Sequence, residues 1–300
     1  MAESKPNFLI VGAAKSGTTA LADYLRQHRD IYIPQVKEPR YFISEIISEI
    51  SEEDPQKEYI KETSTLTGAE YYRLFQDKAC YKFRGEASVH YLYYYESVIP
   101  KIKEELGDIH IIMILRHPVH RAISNYFYNK RERCSFEDAL ANEATRKAKK
   151  YNCFWFYKEL GFYYRQMKAY IDSFSNVKVL LYDRFQSDPQ DTCNEVFRFL
   201  GLKTVPVERG NRVNVTKIPR SKAVKCLLEI EKKAILAKKL AMKIAGDRLR
   251  DQKKKWFIRP DHNHIDKEQY NKLIDQYLGD INKVESELNC DLSCWKKHKC

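Results

Sequence analysis

Residues 7–23, NFLIVGAAKSGTTALAD, decide how the chain is read. Phe8 to Val11 form an apolar run that stops at Gly12, and Leu21, Tyr24 and Leu25 then recur at helical spacing, which predicts strand, tight loop and helix. Such a loop is built to hold phosphate. Gly12 and Gly17 let the backbone turn and approach a ligand, while the first helix amides point outward, unpaired, at the positive end of the dipole. Ala14 lies within the loop, Lys15 adds a full charge, and Ser16, Thr18 and Thr19 add hydroxyl donors. A triphosphate-binding loop carries its lysine after the second glycine; here, in G-x-x-K-x-G-T-T, the lysine precedes it.

A second anchor is IHIIMILRHPVHRAISNYFYN, residues 109–129. Its first seven residues are apolar except for His110 and rich in β-branched side chains, the pattern of a central parallel strand buried on both faces. Arg116 follows at the carboxyl end, where ligands collect in open α/β sheets, and Pro118 starts a helix carrying Ser124. An arginine fork and a serine hydroxyl eight residues on form a compact phosphate clamp. A magnesium-binding aspartate would stand at this strand end in a nucleoside-triphosphate enzyme, and arginine stands there instead. Arg121 is expected to be solvated.

With KEPRYF at 37–42, AAKSGTT and LRHPVHRAISNYF resemble the sulfotransferases that use 3'-phosphoadenosine 5'-phosphosulfate (PAPS), in particular the carbohydrate and heparan-sulfate-like branch and its bacterial relatives. FRFLGL and the closing DLSCW extend the resemblance over nearly the whole chain. It implies a P-loop-like, three-layer α/β fold with a central parallel sheet flanked by helices, and a cofactor site formed by Ala14, Lys15, Ser16, Gly17, Thr18 and Thr19. Arg116 and Ser124 are implied as holders of the 3'-phosphate. A basic loop after FLGL, with Arg209, Arg212 and Arg220 as candidates, is implied to close over the nucleotide. No metal is required.

Pro39 keeps Glu38 out of a helix. The resemblance makes Glu38 the general base, and partial desolvation beside Tyr41 and Phe42 is expected to raise its pKa toward neutrality. The alternative is a solvated glutamate paired with Lys37 or Arg40. His90, within FRGEASVHYLYYY, is the other candidate base, since cytosolic sulfotransferases place a catalytic histidine in the corresponding segment; packing among tyrosines is its bland reading. Some heparan-type relatives carry a lysine near Ala87, which this chain lacks.

Residues 45–80 read as a surface region followed by a helix, and 135–151 as a capped surface helix, with Ser135 and Asp138 in an [ST]-x-x-[DE] cap. Asp188 is a cap candidate before Pro189. Residues 221–255 form a basic amphipathic stretch whose apolar face is expected to pack on the domain. Three hundred residues with 43% hydrophobic content suit one domain, residues 1–300. No run of eighteen apolar residues and no cleavable leader is visible, so a cytoplasmic protein without a transmembrane segment is expected. Eight cysteines lack zinc or C-x-x-C spacing and are expected to be reduced, with a bridge among Cys290, Cys294 and Cys300 as the lesser reading.

A net charge of +12 points to anionic partners without choosing among them. The resemblance favours a carbohydrate acceptor, acidic or not, over nucleic acid, and a small alcohol, lipid or polyketide intermediate would fit the same motifs. Two rival functions remain at this level: a P-loop kinase or nucleotide hydrolase, and a noncatalytic polyanion-binding protein on the same fold.

Overall fold

β1 (Phe8–Gly12) is buried along its whole length, as its apolar run predicts, and lies in the middle of a sheet ordered β2-β3-β1-β4-β5. Its partners are β3 (Phe83–Ala87) and β4 (His110–Leu115); β2 (Ile31–Tyr32) and β5 (Val177–Leu181) form the edges, and every pairing is parallel. The computed structural model describes residues 5–208 and 265–298, together with the backbone of two short antiparallel strands, Ile218–Pro219 and Phe257–Ile258.

Alternation along the central strands creates two cores. Leu9 and Val11 of β1 and Ile111, Met113 and Leu115 of β4 face one side, packed with residues of the helices Tyr95–Leu106, Pro118–Tyr128, Tyr164–Ser173 and Lys267–Leu288. Phe8, Ile10, Ile112 and Ile114 face the other, against α1 (Thr18–Leu25) and the helix Pro189–Phe199. Helices therefore cover both faces of a parallel sheet, giving the three layers expected. The last helix is locked by its tail: Trp295 is buried and donates its indole N–H to Asp183 at 2.9 Å.

The predicted caps are present, Ser135 accepting from the Asp138 amide and Asp188 from the Asp191 amide. Three details differ from expectation. Residues 135–151 form two short helices, Phe136–Ala141 and Glu143–Ala148, and residues 45–80 contribute three short ones rather than one. Arg121 is not solvated: it is fully buried and donates to the Tyr157 carbonyl, because its position on the Pro118–Tyr128 helix falls on the stripe that faces the core. Arg209, Arg212, Arg220 and the basic stretch 221–255 lie outside the described residues. Cys80, Cys134, Cys153, Cys193, Cys290 and Cys294 are free thiols, so Cys290 and Cys294 are not joined. No helix among the described residues is long and apolar enough to cross a membrane.

Candidate active site

The segments that leave the carboxyl ends of β1, β2, β3 and β4 carry the predicted groups to one end of the sheet. After β1 the chain turns through Ala14, Lys15 and Ser16 into Gly17, which caps α1 with φ of 89° and no side-chain cap. That left-handed turn suits glycine, and a Cβ would stand 3.0 Å from the Tyr182 ring. The first amides of α1 are left without intrahelical acceptors. Ser16 is fully buried and its hydroxyl has no partner; Thr18 is buried and Thr19 half-buried. Gly12 is required by packing, since a Cβ there would lie 2.6 Å from that of Leu92.

Lys15 is held with φ of 66°, its ammonium 3.5 Å over the Tyr128 ring. Burial, then the charges of Lys37 and Arg116, partly opposed by Glu38, push its pKa down to about 7. An anion brought to the loop would relieve that repulsion and favour the charged form.

Glu38 and Arg40, either side of Pro39, are also left-handed, at φ of 52° and 57°. Arg40 Nη2 donates to Glu38 Oε2 at 2.7 Å, and His90 Nδ1 lies 4.0 Å from the same oxygen. The two candidate bases are thus neighbours. Burial raises the Glu38 carboxyl, but Arg40 first, then His90 and Lys37, hold it below its ordinary value. The expected upward shift is therefore reversed, because the half-buried carboxylate has a guanidinium partner that outweighs desolvation. His90 is buried beside Phe154, its Nε2 without a partner, and burial with the Arg40 charge pushes it down to about 4. It is neutral near pH 7.

The Glu38–Arg40 turn is pinned from behind. Thr65 donates its amide to the Pro39 carbonyl at 2.7 Å, and the Arg40 amide donates to Ser88 Oγ at 3.0 Å. Ser88 in turn donates to Glu86 at 2.8 Å, a carboxyl that burial pushes up to about 7.

At the end of β4, Arg116 donates to the Lys15 carbonyl at 3.0 Å and lies 4.6 Å from the Tyr182 ring centre. Among the described residues no carboxylate lies within ion-pair distance of it. Ser124 follows on the Pro118–Tyr128 helix, half-buried. A pocket lined by Thr18, Thr19, Val36, Lys37, Glu38 and Ala87 joins the start of α1 to the Glu38 turn.

The model of the Sulfotransferase family matches residues 6–206, two-thirds of the chain and all the elements that build this pocket. The chain belongs to the sulfotransferase family. A sulfotransferase structure from Alicyclobacillus acidocaldarius superposes with a TM-score of 0.71 at 29% identity, covering 98% of this chain and 100% of that one. The mouse heparan sulfate glucosamine 3-O-sulfotransferase 3B1 is 26% identical over 71% of this chain and 50% of its own length. The membrane-associated sulfotransferase kil1 of Dictyostelium discoideum is 31% identical over 46% of this chain and 28% of its own. The chain thus spans half or less of the length of these curated relatives.

In this member of the family, the structure brings Lys15, Glu38, His90 and Arg116, which the sequence singled out, together with side chains that it did not. Arg40 appeared only as a possible partner for a solvated Glu38, while Tyr128, Glu86 and Ser88 were not singled out. Tyr128 carried a usable signal, since it lies four residues after Ser124 and therefore shares its helix face. Glu86 and Ser88 carried another: two residues apart on a strand end, they point the same way.

Proposed function

We propose that this sulfotransferase moves the sulfuryl group of PAPS to a hydroxyl or amine of a carbohydrate acceptor, without a metal. The observation that carries the reading is the β1–α1 loop, where the uncapped amides of α1 and the unpartnered Ser16 hydroxyl stand beside Arg116, which donates to the Lys15 carbonyl at 3.0 Å. The donor set suits a phosphorylated nucleotide: Lys15, the buried and unpartnered Ser16 hydroxyl, the first amides of α1, and an Arg116 with no carboxylate partner among the described residues. Lys15, Ser16, Gly17, Thr18 and Thr19 would hold the 5' side, and Arg116 with Ser124 the 3'-phosphate. When bound, PAPS supplies an activated sulfuryl group on a phosphate leaving group.

The chain's own residues supply position, charge and a base. Lys15 and the α1 amides set a fixed positive field at the loop, so charge developing there is met by dipoles already in place. Glu38 takes the proton of the acceptor, oriented by Arg40 at 2.7 Å. His90, neutral and 4.0 Å from Glu38, is the alternative to it as the base.

Transfer of radiolabelled sulfate from PAPS to an oligosaccharide panel tests the reading. Lys15→Ala and Glu38→Gln should each lower turnover by about 100-fold or more, with melting temperatures within a few degrees of the parent. Parental turnover in either variant would overturn the role given to that residue.

A further inference from the structure

Glu38 opens onto an unusual stretch of surface. The large hydrophobic side chains exposed among the described residues are Val36, Tyr59 and Tyr128. Val36 lines the pocket and Tyr128 lies under the Lys15 ammonium. Tyr59 faces Arg131, whose guanidinium is 5.6 Å from its ring centre. Tyr128 also packs edge-on against Phe154 at 5.8 Å, and Phe154 against His90 at the same separation, so aromatic surface runs unbroken from the candidate bases to the exterior. Tyr59 is near enough to Tyr128 to be among the groups that raise its pKa, and two exposed rings side by side are surface suited to a ligand.

The charge beside these rings has one sign. The segment after Tyr128 reads Asn129-Lys130-Arg131-Glu132-Arg133, and its single acid is turned inward. Glu132 is 4% exposed, takes both terminal nitrogens of Arg146 at 2.8 and 3.0 Å, and accepts the Tyr157 hydroxyl at 2.9 Å. Lys130, Arg131 and Arg133 are left outward and exposed. The segment is also fixed in place: Gln56, at the head of the Lys57–Glu62 helix that carries Tyr59, donates to Asn129 at 2.9 Å, and Asn129 donates to Tyr157 at 2.8 Å. Both walls of the rim are therefore preformed, which lowers the ordering cost of binding.

We infer that Tyr59 and Tyr128, with Lys130, Arg131 and Arg133, form the acceptor-docking rim of the active site, built for an acidic saccharide. Flat amphipathic rings suit a sugar face, and the arginines suit planar carboxylate or sulfate groups on neighbouring residues. Charge complementarity selects this occupant over a neutral glycan or an apolar alcohol, neither of which would need three outward cations. The inference rests on the sulfotransferase reading above and adds where the acceptor lies and what charge it carries.

The test is calorimetric titration of the protein saturated with 3'-phosphoadenosine 5'-phosphate (PAP), using an N-sulfated, uronate-containing hexasaccharide beside neutral cellohexaose. The acidic sugar should bind at least tenfold more tightly, and its affinity should fall as salt rises. Tyr59→Ala and Arg131→Ala, both exposed and tolerant of change, should each weaken it about fivefold, with Tyr59→Phe close to parental and PAP affinity unchanged. Equal affinity for the two sugars, or acidic-sugar binding untouched by both alanine variants, would overturn the rim while leaving the nucleotide reading standing. Failure to bind PAP at all would overturn both.

Discussion

At the scale of single residues, the site is a balance between burial and charge. Glu38 shows it most clearly. Desolvation alone would make it a stronger base, and Arg40 at 2.7 Å reverses the shift. Removing that guanidinium should therefore raise the Glu38 pKa. A rate that needs the deprotonated carboxylate then loses its acid limb earlier, so in Arg40→Ala the limb of kcat/KM should move up by about one pH unit or more, with a lower plateau. An unmoved limb would mean that another group carries the proton. Sequence showed Arg40 two positions from Glu38 but not the sign of the result, because the sign depends on how deeply both are buried. Arg121 was misread for a related reason: its acceptor, the Tyr157 carbonyl, is thirty-six residues away.

At the scale of elements, the most legible part was the strand–loop–helix from β1 to α1. An apolar run ending in glycine, followed by helical periodicity, leaves little choice of local structure. The caps at Ser135 and Asp188 were legible because a cap is a contact between residues three apart. The segmentation of 45–80 and 135–151 was not, since short helices there depend on anchors such as Asp54, which accepts from the Asn152 amide and the Trp155 indole. Gly17 is the joint of the decisive element. Gly17→Ala must place a Cβ at φ of 89° and 3.0 Å from Tyr182, so it should cost about 1–2 kcal/mol in chemical denaturation and weaken nucleotide binding more than tenfold. Parental stability and affinity together would show that the loop does not depend on this turn.

At the scale of the whole molecule, both cores and the positive charge were legible from periodicity and composition. The buried polar scaffold behind the site was not. Within it Glu86 is 1% exposed, and burial pushes its carboxyl up to about 7. Between its unfolded value and 7 the folded state binds more protons than the unfolded one, so this group's contribution to stability declines as pH rises through that window. Glu143, also pushed up to about 7, acts in the same direction; His90, pushed down to about 4, acts in the opposite one from there to its unfolded value. Comparison with Glu86→Gln isolates the first effect. The variant should gain on the order of 2–3 kcal/mol relative to the parent between pH 5 and pH 8. A constant difference across that range would mean that Glu86 does not titrate there.

The central claim is that the β1–α1 loop, with Arg116, is a cradle for a bisphosphorylated nucleotide that needs no metal. Calorimetric titration with PAP in the absence of magnesium, beside ATP with magnesium, tests it most directly. Tight binding of PAP and little of ATP is the predicted result. Tight, magnesium-dependent binding of ATP with none of PAP would contradict the account and make the chain a nucleoside-triphosphate enzyme on this fold.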